Sequence, residues 1–541
     1  MRDGAVPGVD GFELHMHMAK HITPGRRGWT TAMLVLLTLA AGAAVAAERP
    51  VRPNILFILT DDQSYRTVGA YAGADPGVST PQIDRLAAGG VRFAQAYVGT
   101  WCMPARASLL TGRLPHAVES LRMEGPYPGA TYDPRRAPFW PRVLREHGYT
   151  TAHIGKWHTG DDTGAGREWD YQASWSRPPP KYEGANDGYY LNQEISFDGR
   201  PAEPVDGYST DNYTAWANAY LRGEHRPADR PWFLWLCYTA PHAPYVPAER
   251  HRGRHDGMPV ARPADIYPPR PGKPAYMQEI REYVEGPDGE PRYRTEKGQP
   301  LAEGVRQYHD VVAALDEGVG RLLRTLEETG QLENTLVIFA SDQGFAWGQH
   351  GFQKKVAPYD ANLRSPLIIS QPGSVSAGGV VEAPVGGIDL VPTILSAAGV
   401  EVPWALHGRS LWPLLRDPSA VWTHPVLLTY TGWTFGSDTA AIPPDGSDGH
   451  SRATGVPWYV LLRDEGYKYI RTLVAGETEE LYDLRTDPEE LHNLVSRPDQ
   501  AGRLAELRAR AVEELRRTEA PFVDALPPVL STGGIQLEPR L

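Results

Sequence analysis

Two adjacent carboxylates, Asp61 and Asp62, close an apolar run, and a second oxygen-rich pair, Asp342-Gln343, closes another. Like charges side by side need a compensating cation, so the first pair reads as a metal site more than as an acid beside a base. Four hard oxygen donors without a Cys/His cluster suit Ca²⁺, with Mg²⁺ as the alternative, better than zinc. One of the two cysteines, Cys102, opens the run Cys102-Met103-Pro104-Ala105-Arg106, which continues as Ser108-Leu109-Leu110-Thr111-Gly112-Arg113. Two cysteines make no disulfide framework. Arg106 sets a permanent cation near Cys102, and Pro104 is expected to break any helix across the motif. Singly, these residues have ordinary readings too: an Asp-Asp pair caps helices, and a lone cysteine is usually a small buried hydrophobe.

The elements that would position these groups alternate strand and helix. Pro53 to Thr60 reads as a strand apolar on both faces, ending at Asp61-Asp62. Arg142 to His147 reads as a short helix stopped by Gly148, and a strand from Thr150 to Ile154 leads into Gly155-Lys156-Trp157-His158. Trp232 to Tyr238 is another buried strand, just ahead of Ala240-Pro241-His242. A helix from Val305 to Leu326 carries Val311, Leu315, Val319, Leu322 and Leu326 on one stripe, and the strand Leu336 to Ala340 delivers Asp342. Polar residues recur at the carboxyl ends of strands, where open α/β sheets place their sites. Residues 163–210 and 243–300 are rich in Pro, Gly and Tyr and read as surface insertions that wall a pocket. Past about residue 420 a hairpin (Trp458 to Leu462, Tyr467 to Arg471) and a helix from Arg503 to Arg517 suggest a smaller α+β part.

The Cys102 pentapeptide resembles the C-x-P-x-R signature of the sulfatases, with its trailing T-G-R. Further segments match that family in order: G-K-W-H at 155–158, H-G-x-x-x-K at 350–355, R-x-P-L-I at 364–368, D-L-x-P-T at 389–393, and E-L-Y-D-L at 480–484. The chain is identified as a type I sulfatase of the alkaline-phosphatase-like superfamily. The resemblance implies a large, mostly parallel mixed sheet flanked by helices, followed by a smaller C-terminal domain built on an antiparallel sheet. It also implies that Cys102 is oxidised after synthesis to Cα-formylglycine, by a formylglycine-generating enzyme or its equivalent. One hydroxyl of the hydrated aldehyde then attacks sulfur, and the other expels sulfate by re-forming the carbonyl.

The same resemblance assigns the remaining roles. The metal is held by Asp61, Asp62, Asp342, Gln343 and the modified Cys102, with Gln343 departing from the family's commoner Asn or His. Lys156 and Lys355 bind sulfate oxygens, Lys354 being the neighbour most easily mistaken for Lys355. His158 contacts the formylglycine hydroxyls, His242 or Lys355 protonates the departing alcohol, and Arg106 holds the modified residue in register. A phosphate or phosphonate ester hydrolase of the same superfamily is the nearest rival. A glycan-binding relative without the nucleophile is a rival of another class.

At 541 residues the chain is long enough for two domains, a catalytic one over 51–420 and a C-terminal one over 421–541. Its net charge of −12 argues against nucleic acid, so anion recognition must come from local cations. Arg26-Arg27 precede an apolar run from Ala32 to Ala47 that ends in small residues, the pattern of a secretory signal peptide over 1–47. A periplasmic or secreted protein without a membrane anchor after cleavage is therefore expected. A sulfated carbohydrate is the first expectation for substrate, with an aryl sulfate ester as the other. Trp101, Trp157, Trp175 and Trp347 could each stack on it, although packing is the commoner fate of a tryptophan.

Overall fold

The computed structural model describes residues 52–124, 129–176, 188–295 and 298–529, so the signal peptide expected over 1–47 lies outside the described residues. The apolar run is strand β1 (Asn54–Thr60), buried along its whole length. It lies near the centre of a ten-stranded sheet with β2 (Val91–Phe93), β3 (Thr150–Lys156), β4 (Tyr171–Trp175), β5 (Leu191–Phe197), β6 (Glu203–Tyr208), β7 (Trp232–Cys237), β8 (Thr335–Ser341), β9 (Leu367–Ser370) and β10 (Gly379–Val381). The order across the sheet is β10-β2-β9-β8-β1-β7-β3-β4-β5-β6. The central strands β8, β1, β7, β3 and β4 are parallel to one another, and only β9 and β5 run against the rest.

Alternation along β1 explains why the sheet is apolar on both sides. Ile55, Phe57 and Leu59 join one core, with Leu390 and Ile394 of a helix spanning Leu390–Ala398. Leu56 and Ile58 face the other core, which holds all five residues of the expected stripe on the helix Leu301–Glu328. The central strands must be apolar on both faces because each face is covered there.

Two expectations are corrected. Pro104 does not break a helix: Cys102–Thr111 is a helix, here α1, and Pro104 stands in its first turn. The first amide groups of a helix have no intrahelical partner, so a missing N–H costs nothing there. Residues 163–210 are not merely insertions either, because they supply β4, β5 and β6, which extend the sheet outward. β4 is buried throughout, whereas β5 and β6 are exposed in the manner of edge strands, β6 having no fully buried residue, and so carry no clear alternation.

The C-terminal region forms a second, antiparallel sheet of β11 (Val426–Tyr430), β12 (Tyr459–Asp464), β13 (Tyr467–Thr472) and β14 (Glu480–Asp483), paired in that order. Leu504, Leu507 and Leu515 of helix α2 (Ala501–Arg517) pack on its Leu427, Val460, Leu462 and Tyr469. This sheet also grips the 354–360 loop. The Tyr459 hydroxyl donates to the Val356 carbonyl at 2.6 Å, and buried Lys468 pairs with both Asp360 and Glu490.

Gly155 marks the closest strand approach beside the site. Its φ is +103°, and a Cβ there would lie 2.0 Å from the Cys237 carbonyl oxygen. Gly155→Ala is expected to destabilise the fold by about 3 kcal/mol. Thermal or urea unfolding checks this, and an unchanged midpoint would contradict the close approach.

Candidate active site

Strands β8, β1, β7 and β3 lie side by side and point the same way, so their carboxyl ends open on one edge of the sheet. In that order they deliver Asp342-Gln343, Asp61-Asp62, the turn leading to His242, and Lys156. Cys102 is brought to the same edge as the first residue of α1, a helix buried throughout. Its helix N-terminus contributes partial positive charge where an anion would bind.

The side chains converge on Cys102. Its Sγ lies 3.2 Å from Asp61 Oδ1, 3.7 Å from Asp62 Oδ1 and 2.9 Å from Lys355 Nζ. Lys355 Nζ also donates to Asp62 at 2.7 and 2.9 Å, while Lys156 Nζ pairs with Asp61 Oδ2. Lys354 is directed elsewhere, its ammonium 5.4 Å from the Tyr293 ring centroid. His242 Nε2 stands 3.6 Å from Asp62 Oδ2, and its Nδ1 donates to the Ala243 carbonyl at 2.5 Å. Arg106, fully buried, donates through Nε and Nη2 to Asp342 Oδ2 and through Nη1 to the Lys156 carbonyl. Asp342 Oδ1 accepts the Asp62 backbone N–H at 3.1 Å. Arg106 thus braces two strand ends at once. His158 lies two residues beyond Lys156, half-buried with a left-handed φ of +56°.

Charge balance sets the protonation states. Burial opposes ionisation of Asp61, but Lys156, His242, Arg106 and Lys355 outweigh it and hold the carboxyl well below its usual range. Burial likewise opposes charge on Lys355, yet Asp62 and Cys102 keep its ammonium well above the ordinary lysine value. Burial and the neighbouring Asp61 push the Cys102 thiol far up, despite the two lysines. The encoded cysteine is therefore a neutral thiol at physiological pH and a poor nucleophile. Burial, reinforced by Lys355 and Lys156, pulls His242 down to about 3 against the pull of Asp62, so its imidazole is neutral.

Asp61, Asp62, Cys102 and His242 each offer a ligand atom within 4.8 Å of one another, an arrangement that suits a metal ion. Gln343 adds a further oxygen donor beside these residues. Its Oε1 is buried without a hydrogen-bond partner, while its Nε2 faces Asp62 Oδ1. Turning the amide over would present that orphaned carbonyl oxygen to the carboxylates' side, as a hard-cation ligand requires. The donor set thus fits a divalent cation. His242, expected as the acid at the leaving group, falls within this cluster through its approach to Asp62, while Asp342 is held by Arg106.

Tyr189 was not anticipated. Its ring lies parallel to the His242 imidazole, centroids 4.3 Å apart, and 5.5 Å from Lys156 Nζ. The only sequence signal was its place in a Tyr-rich stretch, Gly188-Tyr189-Tyr190. Trp101, Trp157, Trp175 and Trp347 are all buried, which matches packing more than open stacking platforms.

Comparison with known proteins agrees with this geometry. The sulfatase family model matches residues 53–400. The chain is 29% identical to an N-acetylglucosamine-6-O-sulfatase of Bacteroides thetaiotaomicron, over 91% of this chain and 90% of that protein. It is 31% identical to arylsulfatase A of Homo sapiens, over 85% of this chain and 86% of that one. A solved structure in complex with its substrate D-glucosamine-2-N,6-O-disulfate superposes with a TM-score of 0.70 at 26% identity, covering 86% of this chain and 98% of that chain. With its metal-suited carboxylates, paired lysines and central cysteine on an alkaline-phosphatase-like sheet, this chain belongs to the sulfatase family and is a sulfuric ester hydrolase.

Proposed function

We propose that the protein hydrolyses a sulfate ester of a carbohydrate to the free hydroxyl and inorganic sulfate, using formylglycine formed from Cys102 and a calcium ion. The observation that carries this reading is the position of Cys102 Sγ, in contact with Asp61 and Lys355 and at hydrogen-bonding reach of Asp62. A thiol forced to stay neutral beside two carboxylates is chemically idle, whereas a hydroxyl in its place would sit beside groups able to activate it. The glycan preference rests on the relatives named for N-acetylglucosamine-6-O-sulfate and glucosamine disulfate. Residues 51–420 form the catalytic part and 421–541 a C-terminal subdomain, and a signal peptide over 1–47 directs the chain to the periplasm or outside the cell.

The roles combine the positions described above with the family resemblance. Asp61, Asp62 and Gln343, with Asp342 steered by Arg106, would hold the cation, which when bound would supply Lewis-acid stabilisation of charge on sulfate and nucleophile oxygens. With the carboxylates so engaged, the ammonium groups of Lys156 and Lys355 turn to sulfate oxygens and offset charge in the transition state. Arg106 keeps the Cys102 helix and the Lys156 strand in register. His158 takes the second hydroxyl proton as sulfate leaves. His242 acts through Nε2, since Nδ1 is committed to the Ala243 carbonyl. The anionic ester beside it offers the negative charge that favours protonation there, and Nε2 can then pass the proton to the departing alcohol.

Three outcomes are expected. Protein from its native host should show an intact mass lower than the encoded chain's by the difference between a thiol and an aldehyde side chain, and Cys102→Ala should lose at least about 10⁴-fold in kcat. An unmodified thiol in active protein would refute the nucleophile. Chelation should abolish turnover and lower the thermal midpoint. Readdition of Ca²⁺ at about 100 times its Kd should restore both, with about 2.7 kcal/mol of stability; restoration by Mg²⁺ alone would replace calcium with magnesium. His242→Ala should cost about 10²-fold more on an alkyl sulfate than on 4-nitrophenyl sulfate, whose leaving group needs no proton. Equal losses would transfer the acid role to Lys355.

A further inference from the structure

The residue before the modified cysteine touches a distant part of the chain. The Trp101 indole lies against the His450 imidazole, ring centroids 4.4 Å apart. His450 belongs to the short helix Gly449–Thr454, which lies between β11 and β12. Trp433 stacks on it at 5.8 Å with an interplanar angle of 22°. Trp101 is 6% exposed, whereas His450 and Trp433 are half-buried and so retain accessible surface. The Tyr430 hydroxyl lies 2.9 Å from His450 Nδ1, which leaves Nε2 as the ring's second polar atom.

This wall is built, not draped. Asp448 clasps it: Oδ2 accepts the Trp433 backbone N–H at 2.5 Å and the Thr434 hydroxyl at 3.3 Å, and Oδ1 accepts the Ser451 backbone N–H at 3.0 Å. Gly449 lets the helix start directly on the indole, for a Cβ there would meet the Trp433 ring at 2.7 Å. The wall adjoins Cys102 through Trp101, the residue that precedes it. Burial pulls His450 down to about 4 against the opposing charge of Asp448, and the Lys355 ammonium, itself 2.9 Å from Cys102 Sγ, adds a smaller downward effect. A neutral imidazole with one nitrogen available, next to a partly open indole, offers a hydrogen bond beside an apolar face. A pyranose presents the matching combination of hydroxyl edge and C–H face.

We propose that His450, backed by Trp433, determines specificity by receiving the sugar ring of the departing alcohol, with Nε2 hydrogen-bonded to a ring hydroxyl. This rests on the carbohydrate sulfatase reading above. The test compares wild type with His450→Ala, His450→Gln and Trp433→Ala on 4-nitrophenyl sulfate and on a panel of sulfated monosaccharides that includes N-acetylglucosamine-6-sulfate. His450→Ala should lower kcat/KM on the best sugar at least about tenfold more than on the aryl ester, mainly through KM. His450→Gln, which keeps a polar side chain, should recover part of that difference, and Trp433→Ala should follow His450→Ala. A purely structural role would lower both substrates together with the thermal midpoint. Equal losses on sugar and aryl ester, or no loss on either, would overturn the proposal. Wild type that cleaves the aryl ester but no sugar would also overturn it, whereas wild type inactive on every sulfate ester would overturn the sulfatase reading beneath it.

Discussion

The structure depends on a buried balance of charge at the carboxyl edge of the sheet. Asp61, Asp62 and Asp342 pair directly with Lys156, Lys355 and Arg106, and of the six only Lys355 keeps appreciable exposure. Removing one partner would leave an uncompensated charge in a dry interior, a loss that commonly exceeds the net value of the pair. The arrangement therefore demands that each side chain be delivered with little freedom. Strand ends do this for the carboxylates and Lys156, a helix start does it for Cys102, and a loop anchored from the second sheet does it for Lys355. Arg106 connects the parts, because one guanidinium reaches both Asp342 and the Lys156 carbonyl.

Much of this was legible in the residues, and for physical reasons. Strands buried on both faces are long apolar runs, so β1, β7 and β8 and the polar residues at their ends were found within a residue or two. The amphipathic stripe of the Leu301–Glu328 helix was equally plain, since all its apolar positions face one core. What escaped reading lies where the usual signals weaken. Edge strands such as β6 bury too little to show a pattern, and a proline in a first helical turn looks like a breaker when the helix start is unknown. Tyr189 and His450 were invisible because their importance comes from tertiary neighbours, His242 and Trp101, that no local spacing encodes.

The C-terminal sheet is more than a lid on the core. Its Tyr459 and Lys468 fix the loop that carries Lys355, and the segment between β11 and β12 reaches Trp101 beside Cys102. Chemistry sits on the strand ends of the large sheet, while contacts suited to the rest of the substrate come from the small one. Such a division lets recognition vary through surface segments without disturbing the charge balance.

The burial of Cys102 imposes an order of events on the life of the chain. In the folded protein its side chain is 1% exposed, at the start of a helix closed in by strand ends and two lysines. Any agent that must grip the cysteine and its flanking Pro104 and Arg106 would find them extended and accessible only before that helix forms. If Cys102 is oxidised as proposed, folding competes with that step for the same segment, and a molecule that folds first keeps an inert thiol in a finished pocket.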